Sequence, residues 1–300
     1  MANTLTGLYP VMYQGLDVVS RENTGAINAV NKNADAAQAS VGQIVSTPIV
    51  PVTTASDITP AMVPANSGGQ TIGKVDMLIT KSRKTEVLWN GEEVNATAQY
   101  EKIMQDQFAQ AFRALSNEVE EDIIAAAVAD GTGGDLDPAG TNPFLAATGM
   151  KDFAAIDKLF RDAGADGQVR QVVMTSQHLA NVKGELSNLF KANEAGSDAL
   201  LRDGIIARVQ GLNLYDSAGF DTVVDSLAFT PNAIQLLART PYSGNDQAMD
   251  RTYVTDPKTG LVFEVSLYAG YRQMKIEIGL AWGVKVIKPE HVFNILNVAV

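Results

Sequence analysis

Apolar and polar positions alternate cleanly from Ile72 to Thr80, with Val75, Met77 and Ile79 on one face and Asp76, Leu78 and Thr80 on the other. Side chains of a strand point to opposite faces in turn, so this spacing predicts a half-buried strand. Val87-Leu88-Trp89 continues the return. Upstream, residues 44–52 read IVSTPIVPV. They are rich in β-branched residues, but Pro48 and Pro51 cannot donate to a ladder, which predicts an edge strand. Thr53–Gln70 holds Pro60, Pro64 and Gly68-Gly69 and reads as an exposed tip. Together these give an extended hairpin over Val45–Asn90.

The period then changes. Tyr100, Met104, Phe108, Ala111, Phe112, Leu115 and Val119 fall on one helical stripe, with Glu101, Glu118, Glu121 and Asp122 on the other face. Asn95 or Thr97 is a suitable N-cap, and Gly131 with Gly133-Gly134 ends the run. A helix over 95–130 would be about 50 Å long. A hairpin running into so long a helix is an open layout that buries little by itself. It makes sense if neighbouring copies supply the missing contacts.

The flanks are less regular. Leu8, Met12, Leu16 and Val19 make a short amphipathic stripe, and the small, polar Asn28–Gln43 reads as a fraying helix or a flexible arm. After a Gly/Asp/Pro loop at 130–149, helical spacing over Asp152–Ala163 and Ser176–Lys183 mixes with strand-like runs at Val169–Thr175, Leu212–Tyr215, Leu227–Phe229 and Ala233–Ala238. Leu200–Val209 is a further short element. Leu261–Tyr268 and Met274–Ile287 alternate as strands, and Asp256–Gly260 is a turn. The fold class is α+β.

Composition narrows the function. The 300 residues are 46% hydrophobic and 19% charged, ordinary for a folding chain. The net charge of -11 disfavours gripping nucleic acid, where affinity comes from neutralised phosphates. Cysteine is absent, which removes disulfides, thiolate metal sites and cysteine nucleophiles. No basic-then-apolar leader and no apolar run of about 20 residues is visible, so neither a signal peptide nor a membrane helix is expected. Asp130, Asp135 and Asp137 lack the spacing of a calcium loop, and no Lys-Ser/Thr follows the nearby glycines as a phosphate loop requires. His178 and His291, the two histidines, stand far apart and are read as structural or exposed. Glu92-Glu93 and Glu120-Glu121 are adjacent and so point apart, not together as an acid/base pair. No G-x-S-x-G elbow is present. Asn95-Ala96-Thr97 is a chance glycosylation match. No catalytic residue, cofactor or metal is expected. Lys74, Lys81, Arg83 and Lys84 form a basic run on the return strand, read either as a solvated edge or as a surface for an acidic neighbour.

Five stretches carry a resemblance: Met1–Glu22 (MANTLTGLYPVMYQGLDVVSRE), Gln70–Glu93 (QTIGKVDMLITKSRKTEVLWNGEE), Asp106–Asp122 (DQFAQAFRALSNEVEED), Leu189–Gly204 (LFKANEAGSDALLRDG) and Ala281–Pro289 (AWGVKVIKP). In this order the chain resembles the major capsid proteins of tailed bacteriophages, specifically the coat-protein family of the lambdoid Salmonella podoviruses. That resemblance implies the Hong-Kong-97-like fold. It implies an N-terminal arm at 1–44, an extended loop (E-loop) at 45–92 and a peripheral domain with a spine helix at 93–145. An apical domain at 146–250 and return strands at 251–300 complete it.

The implied partners are many copies of the chain in hexamers and pentamers, a portal protein and a decoration protein. The shell would enclose double-stranded DNA without binding it specifically, be assembled in the bacterial host cytoplasm, and end in the virion. Asp203–Asp250 leaves no room for the large inserted domain of the family's best-known member. The 44 residues before the E-loop leave none for a cleavable scaffolding segment, so a separate scaffolding protein is expected. Candidate inter-subunit contacts are Asp57, Thr59 and Met62 at the tip, with Lys74, Lys81, Arg83 and Lys84. Two alternatives are an encapsulin-like compartment of the same fold, and a soluble α/β hydrolase or binding domain, which would need a catalytic constellation the chain lacks.

Overall fold

The structure, a computed structural model, describes residues 24–49, 55, 60, 71–91, 100–136, 144, 149–165, 167–185, 208–220, 224–244 and 248–296. In chain order its elements are α1 (Gly25–Ala29), β1 (Asn31–Ala39), β2 (Ile44–Ile49), β3 (Gly73–Leu78), β4 (Lys81–Asn90), α2 (Tyr100–Asp130), β5 (Asp135–Leu136), α3 (Gly149–Asp162), β6 (Arg170–Met174), α4 (Ser176–Glu185), β7 (Arg208–Val209), β8 (Leu212–Asp216), β9 (Val224–Phe229), β10 (Ile234–Pro241), β11 (Asp250–Thr255), β12 (Val262–Gly270), β13 (Gln273–Val286) and β14 (Val292–Leu296). The stripe of Leu8, Met12, Leu16 and Val19, the caps Asn95 and Thr97, Asp137, and the tip residues Asp57, Thr59 and Met62 lie outside the described residues.

The first sheet has six strands in the order β1-β10-β13-β12-β11, with β4 paired to β13 as well. Strict alternation decides its two faces. Val87, Trp89, Phe263, Val265, Leu267, Ile276, Ile278 and Leu280 are buried, and α2 lies across them. Phe112 of the helix meets Phe263 edge-on at 5.1 Å. The helix has 31 residues, about 46 Å. Its expected stripe is buried from Met104 to Val119 and continues through Ile123, Ile124 and Ala127. It also reaches β9 of the second sheet, so it joins the two halves. Gly131 ends it beside Val292, where a side chain would have no room.

The second sheet runs β5-β14-β9-β6-β8-β7. All of β6 is buried, as expected of a strand covered on both faces. Phe153, Ile156 and Phe160 of α3 pack with Val172, Met174 and Phe293 in a second core. Three strands cross between halves. β10, inside the span expected for an apical domain, lies in the first sheet, and β5 and β14, inside the spans expected for the peripheral domain and its return strands, lie in the second.

Three expectations change. The layout is not open: α2, α1 and the first sheet share one large core. A stripe this long finds its partner in the sheet its own chain returns to form. Second, Asn28–Gln43 is neither a fraying helix nor a loose segment. It supplies the end of α1 and then β1, which pairs in parallel with β10. Lys32 donates to the Thr259 carbonyl at 2.7 Å, and Arg239 donates to the Asn33 carbonyl at 2.8 Å. Third, β4 does not extend the hairpin. It pairs with β13 from Lys81 to Asn90, leaving β2 and β3 as a separate two-stranded sheet.

Candidate assembly surfaces

The β2–β3 hairpin has two unlike faces. Val45 and Met77 turn inward, and Met77 and Ile79 pack on Leu237 and Ala281. On the outward face Ile44 and Leu78 are direct cross-strand partners, 56% and 45% exposed. Val41 and Ile72 nearby are exposed as well. The root is firm: Thr80 N–H donates to the Trp282 carbonyl at 3.0 Å, and Lys285 Nζ donates to the Asp76 carbonyl at 2.7 Å. Gly283 lies directly beneath, where a Cβ would collide with the Leu78 carbonyl.

The basic run does not form one patch, because β4 alternates. Lys81 and Arg83 point to the helix side. Lys81 pairs with Asp122 at 2.8 Å and Glu118 at 3.5 Å, and Arg83 with Glu118 at 3.1 Å. The other oxygen of Asp122 accepts from the Trp282 indole at 2.8 Å. Lys84 points to the opposite face. There Glu86 and Glu277 are placed directly opposite each other, an arrangement that repels. Lys84 bridges them at 2.7 and 3.0 Å and Lys275 at 2.8 and 3.3 Å. Hydrogen bonds from Lys275 and then Lys84 hold the Glu86 carboxyl down at about 2. Lys74 alone stands out on the hairpin, 71% exposed, beside Asp76 at 3.3 Å.

One residue escaped the sequence reading. Glu120 is 2% exposed, in the middle of α2. One carboxylate oxygen accepts from Ala26 N–H at 2.8 Å and from the Ser217 hydroxyl at 2.6 Å, and the other accepts from Ile27 N–H at 2.9 Å. It therefore satisfies free donors at the start of α1 while tying α1, α2 and the end of β8 together. Gly25 is required here, because a Cβ would strike the Asp216 carbonyl. Burial raises the Glu120 carboxyl above the ordinary carboxylate range, against the opposing effect of its hydrogen bonds. Its helical phase was the available signal: it lies eight residues after Phe112 and four after Ser116, both buried.

Neither histidine is exposed. His178 is 1% exposed, with Nδ1 2.6 Å from the buried Ser226 hydroxyl and its ring against Phe144. This serine–histidine pair is part of the second core. His291 Nε2 lies 3.2 Å from the Ala163 carbonyl. Among the described residues no group of three His, Asp or Glu side chains is placed to hold a metal, and no helix is long and apolar enough to cross a membrane.

No family model matches the chain, and no curated protein matches it. Its likeness is to solved structures. One from Mycobacterium phage Che8 superposes with a TM-score of 0.63 at 19% identity, covering 92% of each chain. The capsid structure of the Cyanophage P-SCSP1u gives 0.61 at 12% identity, covering 94% of this chain and 90% of that one. The virus-like particle from Pyrococcus furiosus gives 0.53 at 10%, covering 95% and 96%. This chain has the Hong-Kong-97-like capsid fold. Identities this low speak to the fold alone. The likeness spans nine-tenths or more of this chain and of each of those chains.

Proposed function

We propose that this chain is the major capsid (coat) protein of a tailed phage, and that it self-assembles into an icosahedral shell around double-stranded DNA. The observation that carries the reading is the β2–β3 hairpin. A lone two-stranded sheet is marginal in water, and this one turns Ile44 and Leu78 outward. In a chain of the capsid fold, the simplest completion is the surface of an adjacent identical subunit. The hairpin with its tip is then the E-loop. Asp57, Thr59 and Met62 at the tip and the open Lys74 are its candidate contacts. Lys81, Arg83 and Lys84 enter that interface with acidic partners already beside them. Residues 1–44 serve as the N-terminal arm, α2 as the spine helix of the peripheral domain, and 146–250 as the apical domain ringing hexamer and pentamer axes.

Each contact is at or below the roughly 1,600 Å² of a standard interface, and closed symmetry makes many of them act together. A separate scaffolding protein, a portal and a decoration protein are the further partners. We place it with the coat-protein family of the lambdoid Salmonella podoviruses, on the five sequence stretches that resemble that family. The chain does no chemistry in this role. Its acidity lets packaged DNA move past the wall without adhering. Replacing Thr53–Gln70 by a short Gly/Ser turn tests the reading. Soluble subunits that fail to form shells under the electron microscope are expected, and normal shells would contradict the E-loop role.

A second reading has its own support. The Pyrococcus furiosus virus-like particle covers as much of this chain as the phage capsids do. An encapsulin-like compartment would enclose a protein cargo, so particles holding protein and no DNA would favour it.

A further inference from the structure

At the end of the first sheet next to Gly91, β12 turns into β13 through Tyr271-Arg272. Tyr271 is 88% exposed. Arg272 has φ 56, a backbone conformation that suits glycine or asparagine far better than arginine. Its guanidinium stands 5.9 Å from the Tyr271 ring centroid. Tyrosine and arginine are the side chains that most often dominate protein interfaces, and strained turns of this kind persist where function holds them.

Beside this knob, on the same end of the subunit, a groove of about 410 Å³ runs between β4 and the first turns of α2. Leu88 and Ile103 line it and are 58% and 39% exposed. Glu86 and Asp106 stand along it. Glu86 is held by Lys84 and Lys275, whereas Asp106 has no ion-pair partner among the described residues. The groove walls are fixed, because the Trp89 indole donates to the Gln107 side-chain oxygen at 2.7 Å. The knob is anchored just beyond it, where Gly91 N–H donates to the Arg272 carbonyl at 2.9 Å.

We propose that the Tyr271-Arg272 turn of one copy seats in the Leu88–Ile103 groove of a second copy, with the ring on the apolar floor and the guanidinium against Asp106. This rests on the assembly reading and adds a contact apart from the hairpin. Charge selects the partner: Asp106, a carboxylate with no cation beside it among the described residues, stands next to apolar surface, and the turn offers a cation beside an aromatic ring. Because knob and groove share one end, each copy both gives and receives the contact.

The absence of cysteine makes the test clean. Chains carrying Tyr271→Cys and chains carrying Ile103→Cys, both at exposed positions, are co-assembled, treated with a short bismaleimide and run on a denaturing gel. Covalent dimers holding one chain of each kind are expected from mixed shells, with shells of either variant alone remaining monomeric on the gel. Mixed shells that are intact but yield no such dimers overturn the inference and leave the capsid reading standing. So does cross-linking within Tyr271→Cys shells alone, which would mean that the turns meet each other. Failure of the unmodified chain to form any shell would overturn the capsid reading itself. A charge exchange gives a second readout. Arg272→Glu and Asp106→Arg should each lower shell yield roughly tenfold, and the two together should restore it. Lasting loss in the double variant, with melting temperatures unchanged, would contradict the pairing.

Discussion

Glu120 and the β2–β3 hairpin are opposite ends of one scale. Around Glu120 everything is complete within a single chain: a carboxylate 2% exposed, with donors from α1 and the end of β8 on both oxygens. At the hairpin the backbone is paired, but Ile44 and Leu78 face solvent. The Glu120 junction needs no neighbour to satisfy its polar atoms, whereas the apolar side chains on the outward face of the hairpin are left uncovered by their own chain. Subunit stability and assembly should therefore be separable by mutation, the first read at the junction and the second at the hairpin.

Ranked by effect on the isolated subunit, Glu120→Ala should come first. It leaves buried donors without an acceptor and should lower unfolding free energy by about 3 kcal/mol, measured by urea denaturation. A loss under about 0.5 kcal/mol, the range of an ordinary surface change, would mean that the junction is not what holds α1. Gly283→Ala comes next. The added methyl presses on the Leu78 carbonyl and should cost about 1–3 kcal/mol, with amide exchange at Ile79 and Thr80 accelerated before the rest of the sheet.

The pH dependence of Glu120 is a finer probe. Its folded carboxyl lies above the ordinary glutamate value of 4.5, so the folded state holds this proton more tightly than the unfolded chain does. Its contribution is therefore full below that value and is lost as pH rises through the folded one. Wild-type melting temperature, relative to Glu120→Gln, should fall across that window. A constant difference would refute the assignment. Leu78→Ser should change subunit stability by less than about 0.5 kcal/mol yet sharply reduce shell formation. If shells form normally, the comparison fails at the hairpin end. Smallest of all is the Lys84–Glu86–Lys275–Glu277 cluster. Glu86 should titrate near 2 by NMR, so its contribution is present above the ordinary 4.5 and fades as pH falls toward 2. High salt should weaken it.

What the sequence disclosed follows from how local each signal is. The alternation over Ile72–Thr80 and the long stripe on α2 are local periodicities, and both stand in the structure with the faces they imply. β1 was hidden because NKNADAAQA has no apolar alternation. Its place is set by parallel pairing with β10, some two hundred residues away, and by the reach of Lys32 and Arg239. β4 follows the same logic: nothing in its own residues chooses β13 over β3. Among the candidate contacts, the basic run was visible as a string of charges. Its division between two faces of a strand, each with acidic partners, needed the third dimension. Glu120 stands beside Glu121, and in sequence the two say only that they point apart; the donors that bury Glu120 come from residues about a hundred positions away. The Tyr271-Arg272 turn gave no sequence signal, since arginine in a left-handed turn resembles any other surface arginine.

The most direct measurement is sedimentation of the purified wild-type chain over a wide concentration range, alone and with a scaffolding partner, followed by electron microscopy of the fast fraction. Closed megadalton shells in equilibrium with intact, folded subunits are the expected result. A well-folded monomer that never associates under any of these conditions would contradict the claim that identical neighbours complete this molecule's surface.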